Sequence, residues 1–329
     1  MKNRKTKILI TGIGGFIGAH LAEYCLGLAR TEIFGTVLPK KLGGVEEKKR
    51  INHISKKIKL FECDITDKIS ATRILKKIQP DKIFHLAAQS SVSDSWQLPK
   101  QTLWNNVIAE LNIFEALREL KMNPIIQIAG SSEEYGLVQK NELPVKETNV
   151  LRPLSPYAIS KIGQDMLAFQ YHKSYGLKTV ITRCFNTEGP GRGRQFVISS
   201  FAYQIAAIEK GLQKPVINVG NLNAFRDFND VRDVVRALWL ATEKCNFGQP
   251  YNIGSGKVHQ IKEVLQTLLF LTKKQIKIKI DPKLMRPSDV PIIFCDSTKF
   301  KKATGWKPKI NFKTTLLDTL NYWREELNS

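Results

Sequence analysis

Three observations predict an α/β protein built on a doubly wound parallel sheet, with a smaller C-terminal lobe. Short β-rich apolar runs alternate with helical patterns through the first half of the chain. A glycine-rich turn, T-G-I-G-G-F-I-G (Thr11 to Gly18), follows the first of those runs. In S-P-Y-A-I-S-K (Ser155 to Lys161), Tyr157 and Lys161 stand four residues apart, on one face of a helix, at the other end of the same sheet.

The runs are Ile8 to Thr11, Ile33 to Leu38, Ile58 to Glu62, Lys82 to Leu86, Ile125 to Ala129 and Thr179 to Arg183. Their length and β-branched content suit strands covered on both faces. Between them, Ile17, Leu21, Tyr24 and Leu28, and later Leu111, Phe114 and Leu117, recur at helical spacing. From about Phe185 the character changes, with P-G-R-G-R (Pro190 to Arg194), Gly211, Gly220 and a helical D-V-R-D-V-V-R-A-L-W-L (Asp230 to Leu240). The expected division is therefore 1–185 as a dinucleotide-binding domain, with a returning segment near 224–248, and 186–329 as a substrate lobe.

Composition sets bounds. The 329 residues are 42% hydrophobic and 25% charged, which suits a folded chain with a sizeable core. No apolar run reaches the ~18–20 residues of a membrane span, and M-K-N-R-K-T-K leads straight into a strand, so a cytoplasmic protein with no membrane partner is expected. The five cysteines are scattered without Cys-x-x-Cys spacing, which indicates neither a disulfide framework nor a metal site. A net charge of +21 raises the question of a polyanionic partner, but the lysines are dispersed and no aromatic-and-basic stripe accompanies them. They read as a solvated surface, with no nucleic-acid partner. In K-K-Q-I-K-I-K-I (Lys273 to Ile280) the alternation predicts a half-buried strand with a lysine face.

The glycine turn carries the first piece of chemistry. Gly12, Gly15 and Gly18, with Phe16 and Ile17 among them, lie where backbone amides at a helix N-terminus meet a pyrophosphate, the arrangement of a Rossmann-type fold. An acid expected at the end of the second strand to bind the ribose of NAD is missing from I-F-G-T-V-L-P-K-K (Ile33 to Lys41). Lys40 and Lys41 stand there instead and would attract a 2′-phosphate, so NADP(H) is favoured and NAD(H) remains open. F-E-C-D-I (Phe61 to Ile65) puts Asp64 at a strand end, and H-L-A-A-Q-S (His85 to Ser90) brings small residues to the next, with His85 read as a packed histidine. At the end of the fifth strand, I-A-G-S-S-E-E-Y-G (Ile128 to Gly136) offers Ser131 to hydrogen-bond a reacting oxygen and Glu133 as a second acid/base, with capping as the plainer role for both. An ammonium at Lys161 would favour the phenolate of Tyr157 and draw its pKa towards the working range of a general acid/base.

Together T-G-x-x-G-F-I-G, H-L-A-A-Q-S, S-S-E-E-Y-G and S-P-Y-x-x-S-K resemble the extended short-chain dehydrogenases/reductases that modify nucleotide-activated sugars. The resemblance spans nearly the whole chain. It implies that Gly12, Gly15 and Gly18 hold the pyrophosphate, Asp64 and Ile65 the adenine side, and Leu86, Ala87 and Ala88 the middle of the cofactor. Ser131, Tyr157 and Lys161 would then be the catalytic set, with Lys161 also on the nicotinamide ribose. The second half is most similar to the branch that reduces the 4-keto group of GDP-4-dehydro-6-deoxy-D-mannose to GDP-D-rhamnose, through F-N-T-E-G-P-G-R-G, F-V-I-S-S-F-A-Y-Q-I-A, R-D-F-N-D-V-R-D and M-R-P-S-D-V. On that resemblance Asn186, Arg226, Arg286 and Asp289 contact the GDP-sugar, arginine being suited to grip diphosphate oxygens. Thr187 and Glu188 depart from that branch. The dehydratases acting on GDP-mannose share most motifs, and Glu133 aligns with their acid; the R-D-F-N-D-V-R-D segment favours the reductases, and a reductase or epimerase acting on another nucleotide sugar is the further alternative.

Assembly is expected too. A helix through Leu103, Val107, Leu111, Phe114 and Leu117 and another through Tyr157, Met166, Phe169 and Tyr171 carry more apolar residues than one stripe needs. The resemblance implies that they pair across a two-fold axis in a homodimer.

Overall fold

A computed structural model describes residues 4–39, 48–285 and 290–328. Seven strands form one parallel sheet in the order Pro250–Ile253, Lys178–Cys184, Ile125–Ser131, Lys82–His85, Thr6–Thr11, Thr31–Val37, Lys59–Glu62. The order reverses at Thr6–Thr11, where chain connections pass to opposite faces and open a crevice at the strand C-termini. Ile8, Ile10, Ile83 and Ile126 are fully buried, as strands covered on both faces require.

One face carries the helices Phe16–Leu26 and Val231–Lys244, packed on Ile8, Ile10, Val180 and Ile253. Phe300 and Trp306 complete this layer from far along the chain, the Trp306 indole donating to Asp233 O at 3.0 Å. The opposite face carries Lys68–Ile78, Ala109–Glu119 and Pro156–Tyr175, packed on Leu9, Ile83, Ile126 and Ile128. That last helix has clear punctuation. Ser155 accepts from Ala158 N at 3.1 Å, Pro156 occupies the first turn and Gly176, at φ 70, closes the end.

A third core gathers Ile198, Phe201, Ile205, Val264, Leu268, Leu316 and Leu320. Small sheets bind it to the crevice: Asn186–Glu188 with Phe228–Asp230, a three-stranded set centred on Phe225–Arg226, and Val216–Val219 with Lys277–Ile280. The last strand differs from the expected half-buried one. Ile278 and Ile280 are 47% and 59% exposed, because Lys277–Ile280 pairs on one edge with Val216–Val219 and no layer packs over its apolar alternation. Among the described residues no helix is long and apolar enough to cross a membrane, and no group of three His, Cys, Asp or Glu is placed to hold a metal.

Candidate active site

The turn after the first strand is a cradle in which side chains do not fit. Gly12 has φ +64, and a Cβ there would lie 2.9 Å from Ala87 Cα; a Cβ on Gly18 would lie 2.3 Å from Gly12 O. No side chain caps the helix starting at Phe16, which leaves its first amides for an anion. These residues fit a dinucleotide pyrophosphate. A groove of about 470 Å³ runs from Gly12 and Gly15 past Leu86, Ala87 and Ala88 to Asp64 and Ile65, bringing seven predicted positions together. Phe16, Ile17 and Gly18 lie behind it: Ile17 packs on the core and the Arg192 guanidinium sits 5.0 Å from the Phe16 ring. Lys40 lies outside the described residues.

Sequence reasoning missed part of this groove. Thr36, Val37 and Leu38 form its wall beside the second strand, and Gln101 and Asn105 reach it from the facing helices. Arg50 donates to Gly14 O at 2.6 Å, tying a residue from beyond the second strand to the glycine turn. Strand-end position signals the first group. Nothing local in the sequence signals Arg50.

At the crevice the fifth strand and the helix from Pro156 bring Ser131, Tyr157 and Lys161 together. The Ser131 hydroxyl accepts from Glu133 N at 3.2 Å and lies near enough to the Tyr157 phenol to lower its pKa, and Tyr157 is 8% exposed. Ser131 is held by its backbone: its N–H donates to Glu134 Oε1 at 2.6 Å, and Glu134 belongs to a buried charge cluster in which Arg183 Nε lies 2.7 Å from Asp165 and 3.1 Å from Glu134. Burial and the nearby Asp165 push the Glu134 carboxyl up to about 8. Lys161 donates to Ala129 O and to Gln164 Oε1, both at 2.8 Å.

The expected effect of Lys161 on the phenol is not what this geometry gives. Burial holds Tyr157 above its ordinary range, and the pull in the other direction comes from the Ser131 hydroxyl and the Arg192 charge. The Lys161 ammonium is 5.8 Å from the ring centroid and is committed to Ala129 and Gln164. Burial lowers Lys161 itself to about 8. His85 is a packed histidine, its Nδ1 2.9 Å from Thr11 Oγ1 and its pKa lowered by burial to about 3.

A second cleft, of about 390 Å³, opens between the turn after the fifth strand and the C-terminal part of the chain. Glu133, Asn186 and Arg226 line it, joined by Trp96, Gln195 and Lys283, which the sequence did not single out. Arg226 also donates to Phe225 O at 2.8 Å and Val290 O at 2.6 Å, which fixes its guanidinium at the cleft wall. Arg286 and Asp289 lie outside the described residues. Glu188, at the departure noted in the sequence, is buried with Oε2 unpartnered and its carboxyl pushed up to about 7 by burial.

A parallel sheet with a glycine cradle at its switch point and a Ser-Tyr-Lys set beside it defines an extended short-chain dehydrogenase/reductase of the NAD-dependent epimerase/dehydratase type. The profile of the GDP-mannose 4,6 dehydratase family matches residues 9–319. A GDP-6-deoxy-D-mannose reductase of Pseudomonas aeruginosa is 30% identical over 98% of both chains. A GDP-mannose 4,6-dehydratase of Vibrio cholerae is 31% identical, over 94% of this chain and 91% of that one. Among solved structures, the Pseudomonas aeruginosa RMD complexed with NADPH superposes with a TM-score of 0.83 at 29% identity, over 98% of this chain and 100% of that one. A Thermus thermophilus UDP-glucose 4-epimerase with NAD gives 0.84 at 29% identity, over 97% and 99%. The chain belongs to the GDP-mannose 4,6-dehydratase family, whose members are NAD(P)-dependent enzymes that modify nucleotide sugars.

Proposed function

We propose that this enzyme reduces the 4-keto group of GDP-4-dehydro-6-deoxy-D-mannose to GDP-D-rhamnose, with NADPH preferred over NADH. The observation that carries this reading is the end-to-end match: the reductase relative aligns over 98% of both chains, whereas the dehydratase of human origin is spanned over 87% of its length. The missing acid at the end of the second strand and the NADPH-bound relative support the cofactor preference.

In this reading Gly12, Gly15 and Gly18 hold the pyrophosphate, Asp64 and Ile65 the adenosine, and Lys40 a 2′-phosphate. The nicotinamide, when bound, supplies the hydride. Tyr157 gives its phenolic proton to the 4-keto oxygen, Ser131 hydrogen-bonds the same oxygen, and Lys161 holds the ribose and compensates the phenolate with its charge. Asn186, Arg226, Arg286 and Asp289 hold the GDP-sugar. Residues 1–185, with the returning segment near 224–248, form the cofactor unit, and 186–329 the substrate lobe.

A second reading, GDP-mannose 4,6-dehydratase, is favoured by Glu133, which lines the sugar cleft beside Asn186 and Arg226, where dehydration needs an acid/base. Turnover of NADPH with a panel of 4-keto nucleotide sugars, products read by NMR, tests both. GDP-mannose with NADP and no reductant should give little 4-keto product; efficient turnover there rejects the reductase reading.

A homodimer completes the proposal. Leu103, Trp104, Ile159, Met166 and Phe169 are exposed on the outer faces of the two helical segments expected to pair. Phe114, Leu117 and Tyr171, grouped with that face in the sequence reading, are instead buried because the stripe towards the sheet takes them, and Tyr157 is buried at the crevice. Light scattering should give twice the chain mass, and a monomer at micromolar protein rejects the pairing.

A further inference from the structure

Glu110 is a carboxyl with no surface. It is fully buried in the helix Ala109–Glu119 and, among the described residues, forms no ion pair and leaves Oε1 without a hydrogen-bond partner. Its other oxygen accepts from Gln164 Nε2 at 2.9 Å, and Gln164 Oε1 in turn accepts from Lys161 Nζ at 2.8 Å. An amide side chain joined to a carboxyl on one side has only one orientation in which its oxygen meets the ammonium on the other. We propose that Glu110 is a positioning residue which, through Gln164, fixes where Lys161 presents its ammonium to the cofactor and to Tyr157. With Ala129 O and Gln164 Oε1 each taking one N–H, one N–H of the ammonium is left for that task.

The role is one of geometry rather than charge. Around Glu110 stand Lys161 and Asp165 from the helix Pro156–Tyr175 and Glu134 from the turn after the fifth strand. Burial, opposed by Lys161 and the Gln164 bond and reinforced by the two acids, raises the Glu110 carboxyl well above the ordinary carboxylate range. A neutral carboxyl accepts from Gln164 as an amide would. Leucine at this place would fill the space without a hydrogen-bond acceptor and release the Gln164 amide to turn.

The inference rests on Lys161 and Tyr157 acting as proposed above, and the test separates the two. NADPH affinity across pH, by fluorescence titration, and kcat and KM with NADPH and GDP-4-dehydro-6-deoxy-D-mannose are measured for Glu110→Leu, Gln164→Leu, Glu110→Gln and, as reference, Tyr157→Phe. A displaced Lys161 should weaken NADPH binding and lower kcat by about tenfold each in Glu110→Leu and Gln164→Leu, with KM for the nucleotide sugar little changed. Glu110→Gln should recover the wild-type values and pH dependence. Wild-type NADPH affinity and kcat in Glu110→Leu overturn the proposal. So does a shift of the alkaline limb of NADPH binding to lower pH in Glu110→Gln, since that makes the carboxylate charge the active element. If Glu110→Leu fails to fold, wild-type behaviour of Gln164→Leu overturns it equally. Near-normal turnover in Tyr157→Phe rejects the catalytic reading itself, whereas loss there with unchanged Glu110→Leu rejects the positioning role alone.

Discussion

The groove at the glycine turn and the cleft lined by Glu133 and Arg226 are built by opposite means. On the side proposed for the cofactor, the walls are strand ends and glycines, and what they offer is backbone: Gly12 in a left-handed turn, uncapped amides at Phe16, and Ala87 packed so close that a side chain on Gly12 would strike it. On the side proposed for the sugar, the walls are side chains from short strands and connections: Glu133, Asn186, Gln195 and Arg226. A backbone cradle suits a ligand with the same pyrophosphate in every relative. Side chains on two- and three-residue strands can be exchanged without disturbing the sheet, and this is where Thr187 and Glu188 depart from the expected pattern.

Tyr157→Phe should have the largest effect, since it removes the proposed proton donor. Turnover is expected to fall by about 10²–10⁴-fold while NADPH and GDP still bind, as checked by steady-state kinetics and titration calorimetry. Arg183→Met strikes the cluster beneath Ser131 and leaves Glu134 and Asp165 buried together without their cation. A loss of about 3–5 kcal/mol is expected in denaturant unfolding.

The next two substitutions sharpen the contrast. Gly18→Ala places a methyl 2.3 Å from Gly12 O, so the cradle must shift, and NADPH binding should weaken by more than tenfold, about 1.4 kcal/mol, with affinity for GDP unaltered. Arg286→Ala should do the reverse, raising the nucleotide-sugar KM by about tenfold and leaving the NADPH dissociation constant unchanged. The smallest effect is that of pH. Burial lowers Lys161 to about 8, so its ammonium is present below that value and lost as pH rises through it. NADPH affinity should follow the same sense, falling on the alkaline side in a titration carried across pH 8.

The glycine turn and the face shared by Tyr157 and Lys161 were legible in the sequence for a physical reason. A turn that excludes every Cβ leaves glycines at fixed spacing, and a helix that places Tyr157 and Lys161 on one face needs only residues four apart. The partners that hold those groups were hidden because they come from distant elements: Arg50 reaches Gly14, Glu134 and Asp165 share Arg183, and Glu110 meets Gln164 across two helices. Burial likewise escaped the sequence reading. It raises the phenol where a neighbouring cation was expected to lower it, and its lack at Ile278 and Ile280 leaves exposed an alternation that was expected to be half covered.

The placement of Trp306 and the strand Pro250–Ile253 has a consequence during synthesis. While a nascent chain has reached only Phe185, the edge of Lys178–Cys184 is unpaired and the face beneath Ile8 and Ile10 lacks Val231–Lys244, Phe300 and Trp306. An open edge and a bare apolar face are what invite wrong association. The nucleotide-binding half therefore cannot mature ahead of the rest on the ribosome. A release of the chain short of Trp306 would yield a client for chaperones or proteases rather than a smaller enzyme.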